Sequence, residues 1–515
     1  MNGADALCDT LLAGGVDLCF ANPGTSEMHF VAALDRKPQM RCVLGLFEGV
    51  VTGAADGYAR MADKPAATLL HLGPGLANGL ANVHNAKRAN SPMVNVVGDH
   101  ATWHRQYDAP LTSDIEGLAR PMSHWVKTTA RADDVSRDAA EAIREANTAP
   151  GRIATLILPA DAAWDEATAP LVNVAPAPAR RTVDRDAIRK AAAMLRNGKK
   201  TMLLMSGVAL RATALESASR IASATGARIM AQQSNGRIER GAGRVAIDRV
   251  PYVVDIALKA LADVEQMILI GAKAPVGFFA YPGKPSVQTQ PNCEIFELAT
   301  PGDDLAEALA WLADETGAKA APVLEPLQPP ALPSGKLNGD KTMAVVASLL
   351  PENAVLIDES ISAGRNSFHL TKTAPPHDYL QLTGGAIGLG LPMAAGAALA
   401  CPDRKVVSIQ ADGSAMYTIQ ALWTQARENL DIVTILFANR AYSVLHAELR
   451  GVGAGEAGRN ARLMLDLDKP DLDFVSLAKG MGVEGERVTT VEDLSRALKA
   501  AMARRGPYLI EAVVV

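Results

Sequence analysis

Short apolar runs and longer amphipathic stretches follow one another along the whole chain. The apolar runs are too short for buried helices, and the stretches after them have helical periodicity. Three pairs of a run and its stretch are RCVLGLF with GVVTGAADGYARM, TMLLMS with ATALESASRIASAT, and KVVSIQ with TIQALWTQARENL. Continuous apolar strands that alternate with helices predict parallel sheets covered by helices on both faces.

Two stretches rich in alanine and proline, at residues 163–181 and 317–336, interrupt this alternation and have the composition of linkers. A chain of 515 residues is also too long for one core. We therefore predict an α/β protein with three doubly wound parallel-sheet domains, at residues 1–165, 182–316 and 337–515.

Composition narrows the class of protein. The chain has 48% hydrophobic and 21% charged residues, which is typical of globular proteins. A net charge of −5 without a basic run argues against nucleic acid as a partner. No apolar stretch is long enough to span a membrane, and the N-terminus lacks the basic region of a signal peptide. Five scattered cysteines without a Cys-x-x-Cys pair indicate buried free thiols in a reducing cytoplasm.

Polar residues directly after apolar runs are the best candidates for function. Ligands of open α/β sheets bind outside the carboxyl ends of the strands. The residues at such positions are Asn22, Glu48, His71, Asp99, Glu359, Asp412 and Asn439.

Asp412 and Asn439 end two apolar runs that are separated by one predicted helix, so their side chains should meet at one sheet edge. Gly413 and Ser414 follow Asp412, and a glycine and a hydroxyl at a helix start suit a phosphate. Carboxylate and amide oxygens suit Mg²⁺. A helix cap and a turn explain either residue alone, whereas the pair favours a metal and phosphate site.

The stretches ADGS and FAN resemble the signature of the thiamine-diphosphate-dependent enzymes that act on 2-oxo acids, Gly-Asp-Gly followed some two dozen residues later by Asn. Ala411 and Ala438 depart from the usual residues, but neither position supplies a metal-binding side chain. The resemblance implies a Mg²⁺ ion held by Asp412, Asn439 and the carbonyl of Ala441. It implies a diphosphate held by Gly413, Ser414, Tyr442 and Ser443.

Other segments resemble the same family in the same order. The stretch DGSAMYTIQALWTQA is similar to the benzoylformate decarboxylase branch, and LTGGAIGLGLPMAAGAALA is similar to the family's segment beneath the thiazolium ring. ANPGTSE, GLFEGVVTGAADGYARM and LLHLGPGLANGLANVHNA resemble its N-terminal domain. The three predicted domains then correspond to a pyrimidine-binding, a central Rossmann-like and a diphosphate-binding domain.

The resemblance also implies roles around the cofactor rings. Glu48 is the acid that activates the aminopyrimidine at N1′, and Ile387 is the aliphatic wedge that keeps the cofactor bent. His71 serves proton transfer, and Thr25 occupies a position where the decarboxylases have a serine hydroxyl. Gly385, Asn22 and Pro23 contact the cofactor.

The implied reaction is cleavage or ligation of a 2-oxo acid through a thiazolium ylide and an enamine. APVGFFAY stands where benzoylformate decarboxylases carry a second catalytic histidine, and no histidine occurs between His124 and His369. This departure favours carboligation, the acetolactate synthase reaction, as the alternative to aldehyde release. The active-site glutamine of that branch is not evident, because Leu111 stands near its position.

Several assignments stay open in the sequence. His100, His104 and Gln106 either contact substrate or line a polar loop, and Leu445, His446 and Glu448 are candidates for selecting the substrate's side chain. A flavin in the central domain, as in acetolactate synthases, is possible, but no residue in 182–316 indicates it.

Two rival classes remain. A nicotinamide or flavin dehydrogenase needs a Gly-x-Gly-x-x-Gly after a strand, which is absent. A catalytically silent homologue would have no chemical reason to retain the activating acid. The resemblance further implies a homodimer at minimum, and a homotetramer, with each site shared between two chains.

Overall fold

The computed structural model describes residues 1–514, and their strands form three sheets. The strands of the first sheet are β1 (Leu18–Asn22), β2 (Arg41–Leu44), β3 (Ala66–Leu70), β4 (Met93–Asp99), β5 (Trp125–Thr128) and β6 (Ile153–Pro159). They are all parallel, in the order β2-β1-β3-β4-β6-β5. The helices of this part are α1 (Gly3–Ala13), α2 (Met28–Asp35), α3 (Glu48–Ala62), α4 (Leu72–Ala89), α5 (Ile115–Ala119), α6 (Val135–Asn147) and α7 (Ala160–Trp164).

The second sheet belongs to the central part of the chain. Its elements are α8 (Arg185–Arg196), β7 (Thr201–Met205), α9 (Ala212–Thr225), β8 (Arg228–Ala231), β10 (Asp248–Arg249), α10 (Val254–Leu261), β11 (Gln266–Ile270), β12 (Glu294–Ala299) and α11 (Leu305–Thr316). A further strand from this part of the chain, β9 (Ile238–Arg240), does not belong to this sheet. The five strands are parallel in the order β10-β8-β7-β11-β12.

The third sheet contains β13 (Ala354–Glu359), β14 (His377–Gln381), β15 (Val406–Ala411), β16 (Ile432–Ala438), β17 (Glu484–Val488) and β18 (Tyr508–Val513). Its helices are α12 (Gly339–Leu349), α13 (Ser367–Leu370), α14 (Gly390–Ala400), α15 (Asp412–Ala415), α16 (Ala421–Arg427), α17 (Ser443–Gly451), α18 (Arg459–Leu465), α19 (Phe474–Gly480) and α20 (Val491–Ala503). The strand order is β17-β18-β16-β15-β13-β14-β9.

Consecutive strand residues enter different apolar cores, as a doubly wound sheet requires. Leu69 of β3 packs in one core and Leu70 in another, and Met202 and Leu203 of β7 divide in the same way. The predicted α/β class with three doubly wound sheets is therefore confirmed. The predicted domain boundaries remain predictions, and the last of them, residue 515, lies outside the described residues.

One strand departs from the expected order. β9 comes from the central part of the chain but pairs antiparallel with β14 of the third sheet, with Ile238 opposite Tyr379. Its sequence, IER, is short and polar at its centre, so no periodicity marks it. The pairing ties the central part to the third sheet, whose other pairs are all parallel.

Helices α3 and α14 join the first and third parts of the chain. Glycines allow the two backbones to touch, because a Cβ at Gly396 would lie 1.8 Å from the carbonyl oxygen of Ala54. A Cβ at Gly57 would lie 2.1 Å from the carbonyl oxygen of Met393. Glu48 is the first residue of α3, so this packing helps to place it.

The cysteines are only partly buried. All five cysteines are free, but only Cys8 and Cys19 are buried, and Cys42 is exposed because β2 is an edge strand. The expectation of buried thiols is therefore wrong for Cys42.

No helix within residues 1–514 has the length and apolar character needed to cross a membrane.

Candidate active site

Asp412 lies at the topological switch point of the third sheet. β14 lies on one side of β13 and β15 on the other, and Asp412 follows β15 directly. The residue is only 3% exposed. Its Oδ1 accepts a hydrogen bond from the backbone N–H of Gly413 at 2.8 Å, and its Oδ2 accepts one from that of Arg440 at 2.6 Å. The carboxylate is therefore held at the sheet edge where ligands of such folds bind.

Asn439 meets Asp412 at this edge, as predicted. β15 and β16 are adjacent and parallel, and Ala411 pairs with Phe437. The Asn439 side chain accepts from the backbone N–H of Ala441 at 3.2 Å and donates to Ser443 Oγ at 3.1 Å. Arg440 between them has φ +58, which turns the chain back toward Asp412. The crossover contains two short helices, α15 and α16, rather than the one helix expected.

The oxygen ligands suit a hard divalent cation. Burial raises the pKa of Asp412, and the N–H groups of Arg440 and Gly413 act in the opposite direction. A cation at the carboxylate would offset the cost of burying its charge. A carboxylate, an amide oxygen and a backbone carbonyl are oxygen donors of the kind that Mg²⁺ prefers, so the residues present fit this ion.

Gly413 and Tyr442 pack together beside the carboxylate. A Cβ at Gly413 would lie 2.4 Å from the Tyr442 ring, so any larger residue would displace the ring. Tyr442 and Ser443 begin α17, and Ser414 is buried in the single turn of α15. The residues expected around the diphosphate are thus brought together, and their contacts with it remain predictions.

The segment 384–390, expected beneath the cofactor rings, is held by Glu359. One oxygen of this carboxylate accepts from the N–H groups of Gly388 (2.8 Å) and Leu389 (3.1 Å). The other accepts from Gly390 N–H at 2.7 Å and from Gln410 Nε2 at 2.8 Å. Glu359 is 1% exposed. Burial raises its pKa, and the four hydrogen-bond donors act in the opposite direction. The carboxylate fixes the turn that follows Ile387.

Gly385 and Ile387 are less buried than residues 388–390 of this segment. Gly385 is exposed with φ +81, and Ile387 is half-buried. A Cβ at Gly385 would lie 2.7 Å from the ring of Phe278 in the central part of the chain. The stretch APVGFFAY therefore does approach the predicted cofactor segment, and it presents an aromatic ring there.

Glu48 begins α3, where the sequence places the activating acid, and it is 8% exposed. Its Oε2 accepts from Asn78 Nδ2 at 3.0 Å. A Cβ at Gly75 would lie 3.1 Å from Glu48 Oε1 and 3.3 Å from His71 Cβ. Glu48 and His71 therefore flank Gly75, and the structure brings these two predicted residues together.

His71 is paired with Glu27, a residue that the sequence analysis did not select. His71 Nδ1 lies 2.8 Å from Glu27 Oε2, which also accepts from Gly24 N–H at 2.7 Å. Glu27 is 3% exposed, and burial raises its pKa while His71 opposes the shift. A Cβ at Gly98 would lie 1.7 Å from Glu27 Oε1, so a glycine on β4 makes room for the carboxyl.

The other predicted residues of ANPGTSE lie close by. Asn22 ends β1, but its side chain donates to the carbonyl of Gly45 at 2.9 Å, which ties β1 to the loop before Glu48. Pro23 is half-buried, and Thr25 is exposed at the start of a 3₁₀ helix over Thr25–Glu27. Thr25 therefore lies two positions before Glu27 in sequence and is exposed to solvent.

The residues left open by the sequence lie in the segment after β4 and in helix α17. The His104 ring lies 5.4 Å from that of His100 and 5.8 Å from that of Tyr107, so His100 and His104 belong to an aromatic cluster on the loop after β4. His446 Nε2 lies 2.7 Å from Asp466 Oδ1. Glu448 accepts from the Tyr252 hydroxyl at 3.5 Å, which joins α17 to the central part.

A separate cavity lies elsewhere, between the first and central parts. It has a volume of about 390 Å³ and is lined by Arg60, Arg180, Arg211 and Gly207, among others. At the switch point of the central sheet, Leu305 fills the space beside Gly271, where a Cβ would meet the Leu305 side chain at 2.4 Å. These residues supply no specific support for a flavin.

Comparison with known proteins agrees with these sites. Residues 1–123 match the family described as thiamine pyrophosphate enzyme, N-terminal TPP binding domain, and residues 362–512 match the C-terminal TPP binding domain. These ranges contain the Glu48 and the Asp412 groups, respectively.

Similarity to known proteins covers the whole length of the chain. The chain is 52% identical over 515 residues to the "Putative acetolactate synthase large subunit" of Mycobacterium tuberculosis, with 100% of this chain and 99% of that protein covered. It is 30% identical over 521 residues to benzoylformate decarboxylase of Pseudomonas aeruginosa, with 96% of each covered. The solved structure of a thiamine diphosphate-dependent 4-hydroxybenzoylformate decarboxylase from Rhodococcus jostii RHA1 has a TM-score of 0.87 at 25% identity, covering 100% of this chain and 99% of that one.

Proposed function

This chain belongs to the thiamine pyrophosphate enzyme family, and we propose that it is an enzyme that cleaves 2-oxo acids with thiamine diphosphate and Mg²⁺, as benzoylformate decarboxylases do. The meeting of Asp412 and Asn439 at one sheet edge is the observation that supports it most. Asp412, Asn439 and the carbonyl of Ala441 would hold the metal. Gly413, Ser414, Tyr442 and Ser443 would hold the diphosphate.

The bound cofactor supplies a carbon nucleophile, C2 of its thiazolium ring, for addition to the keto carbon. Glu48 would hold a proton at the pyrimidine N1′. Asn78 occupies one carboxyl oxygen of Glu48 and leaves the other free for that contact. Ile387 and Gly385 would support the rings, on a segment whose backbone is fixed by Glu359.

His71 would move protons at the substrate, and Glu27 would hold its ring in place. Because Glu27 engages Nδ1, His71 presents Nε2 to a ligand. Glu27 is a positioning residue in this arrangement, since its carboxyl contacts His71 and Gly24 and is nearly buried. Thr25 would add a hydroxyl to the same pocket.

Carboligation of two 2-oxo acids, as in acetolactate synthases, is the second candidate. A specific observation favours it: the aromatic ring of Phe278 lies against Gly385, on a central stretch that contains no histidine. A pocket without a second imidazole would offer fewer proton donors to the reacting carbon, which would favour addition to a second carbonyl.

We also propose the setting in which the enzyme works. The substrates are small 2-oxo acids, and the active unit is a homodimer or a homotetramer with sites shared between chains. Five free cysteines support a reducing, cytoplasmic location. Neither nucleic acid nor a membrane is needed as a partner.

Purified protein with thiamine diphosphate and Mg²⁺ is incubated separately with pyruvate and with benzoylformate, and products are identified. Benzaldehyde supports the decarboxylase, and acetolactate supports the ligase. The Glu48→Gln variant should lose most of either activity. If neither acid is consumed while the cofactor binds, both substrate assignments are wrong and a catalytically silent homologue becomes the better account.

A further inference from the structure

Helix α4 carries three asparagines, Asn78, Asn82 and Asn85, at the spacing of one helical face. Asn82 is 2% exposed and Asn85 is fully buried, whereas Asn78 is exposed. Buried amides are costly unless each donor and acceptor has a partner. Their partners therefore indicate what the face does.

Asn82 joins two different parts of the chain. Its Nδ2 donates to the carbonyl of Gly49 at 2.8 Å and to the carbonyl of Gly388 at 3.2 Å. Gly49 follows Glu48 directly, and Gly388 follows Ile387 directly. One side-chain nitrogen thus spans from the activating acid's helix to the predicted cofactor segment, and both of its hydrogens are used.

Asn85 completes the connection. Its Nδ2 donates to the carbonyl of Ala386 at 2.7 Å and to Asn82 Oδ1 at 2.9 Å, and its Oδ1 accepts from the N–H of Ala386 at 3.3 Å. The two amides therefore form a network in which every nitrogen faces only acceptors, which fixes their orientation. Ala386 lies between Gly385 and Ile387.

The same helix also orients the acid itself, because Asn78 donates to Glu48 Oε2. On the opposite side of segment 384–390, Glu359 binds the N–H groups of Gly388 and Gly390. The segment is therefore clamped between a carboxylate of its own sheet and two amides of the first part of the chain.

We propose that Asn82 and Asn85 are positioning residues that set the separation between Glu48 and the segment carrying Gly385 and Ile387. The assignment of those three residues to the cofactor rests on the proposed function. In a two-fold dimer with shared sites, Glu48 of one site and the segment of the other site lie on the same chain, so the two amides would connect the two sites. The catalytic consequence is large, because small displacements of reacting groups cost about 100-fold in rate.

The test compares Asn82→Ala and Asn85→Asp with the control Asn95→Ala. Asn95 is also a fully buried asparagine of the first part, and its amide bonds Thr68 and Thr155 rather than the segment. Hydrogen exchange of the apo chain is followed in peptides covering residues 382–391. Both test variants should speed exchange there by about fivefold or more, and Asn95→Ala should leave it unchanged.

Cofactor-loaded protein gives the second measurement. We expect kcat to fall by roughly 10- to 100-fold in Asn82→Ala. Thiamine diphosphate affinity should stay within about threefold, because the residues that would hold the metal and the diphosphate are unchanged. Equal effects of Asn82→Ala and Asn95→Ala on exchange and on kcat would overturn the inference. So would loss of folding in both test variants while Asn95→Ala folds. If the wild type is inactive but exchange is altered in the two test variants, the proposed function is wrong and the positioning role of the asparagines stands.

Discussion

Replacing Glu359 by glutamine tests whether this carboxylate holds the predicted cofactor segment. The wild-type side chain accepts four hydrogen bonds, from the N–H groups of Gly388, Leu389 and Gly390 and from Gln410 Nε2. A glutamine keeps only one acceptor oxygen. Its best orientation directs that oxygen to Gly388 and Leu389 and directs its NH₂ group to Gly390 and Gln410.

The size of the effect follows from which donors lose their partner. Gln410 can rotate its amide, since its Oε1 is buried without a partner, and can then accept from the new NH₂ group. The backbone N–H of Gly390 cannot rotate and would face the new NH₂ group without an acceptor. An orphaned buried N–H costs about 1–3 kcal/mol, and exchanging charged for neutral acceptors costs about 1 kcal/mol more. We therefore expect Glu359→Gln to lower the free energy of unfolding by about 2–4 kcal/mol.

Urea unfolding of the apo chain measures this change, with Glu511→Gln as the matched control. Glu511 is also 1% exposed and lies in β18 of the same sheet, but its partner is Arg487, whose side chain is 43% exposed. Glutamine keeps an acceptor oxygen for Arg487, whose exposed guanidinium is also hydrated, so the control should cost less than about 1 kcal/mol. A loss in Glu359→Gln no greater than in Glu511→Gln would refute the reasoning.

Three further changes have defined outcomes. His377 is fully buried, and burial lowers its pKa to about 3. The free energy of unfolding should therefore fall by roughly 1.4 kcal/mol per pH unit as pH falls from about 6.5 to 3. Thermal unfolding at several pH values should show that His377→Asn removes up to this much of the pH dependence. Gly396→Ala places a Cβ against the Ala54 carbonyl and should lower the free energy of unfolding by about 3 kcal/mol or more, measured in urea, whereas an unchanged midpoint would show that α3 and α14 can separate at no cost. Asp412→Asn should weaken Mg²⁺-dependent binding of thiamine diphosphate by roughly tenfold or more in calorimetry, and an unchanged affinity would exclude Asp412 as a ligand.

Most of the fold was predictable because its signals are local. Apolar runs such as VVSIQ and the helices after them establish parallel strands, and polar residues at the run ends establish the edge where Asp412 and Asn439 meet. β9 was not predictable in this way. It has three residues, and its partner β14 begins more than 130 positions later, so only long-range packing selects it.

The site was predictable to the extent that its residues stand at strand ends. His71 and Asp412 do so directly, and Glu48 does so after a short loop that follows β2, while their roles remain predictions. Glu27 does not, because an acid three residues after Gly24 has the pattern of a helix cap, and its partner His71 is distant in sequence. The role of Glu359 was hidden for another reason: its partners are backbone N–H groups, which carry no sequence signal.

The asparagines of α4 were visible in the sequence but were not used. LANGLANVHNA places Asn78, Asn82 and Asn85 on one face of a helix that is otherwise rich in alanine, glycine and leucine. A polar stripe in such surroundings predicts a buried hydrogen-bond network. The identity of its partners, the carbonyls of Gly49, Ala386 and Gly388, required the structure.

The most direct test of the central claim is the exchange of the thiazolium C2 proton of bound thiamine diphosphate, followed by quenched-flow NMR in D₂O with Mg²⁺ and without substrate. Wild-type protein should accelerate this exchange strongly over free cofactor, and Glu48→Gln should lose most of the acceleration while still binding the cofactor through Asp412 and Asn439. Equal exchange in the wild type, the Glu48→Gln variant and free cofactor would contradict the account.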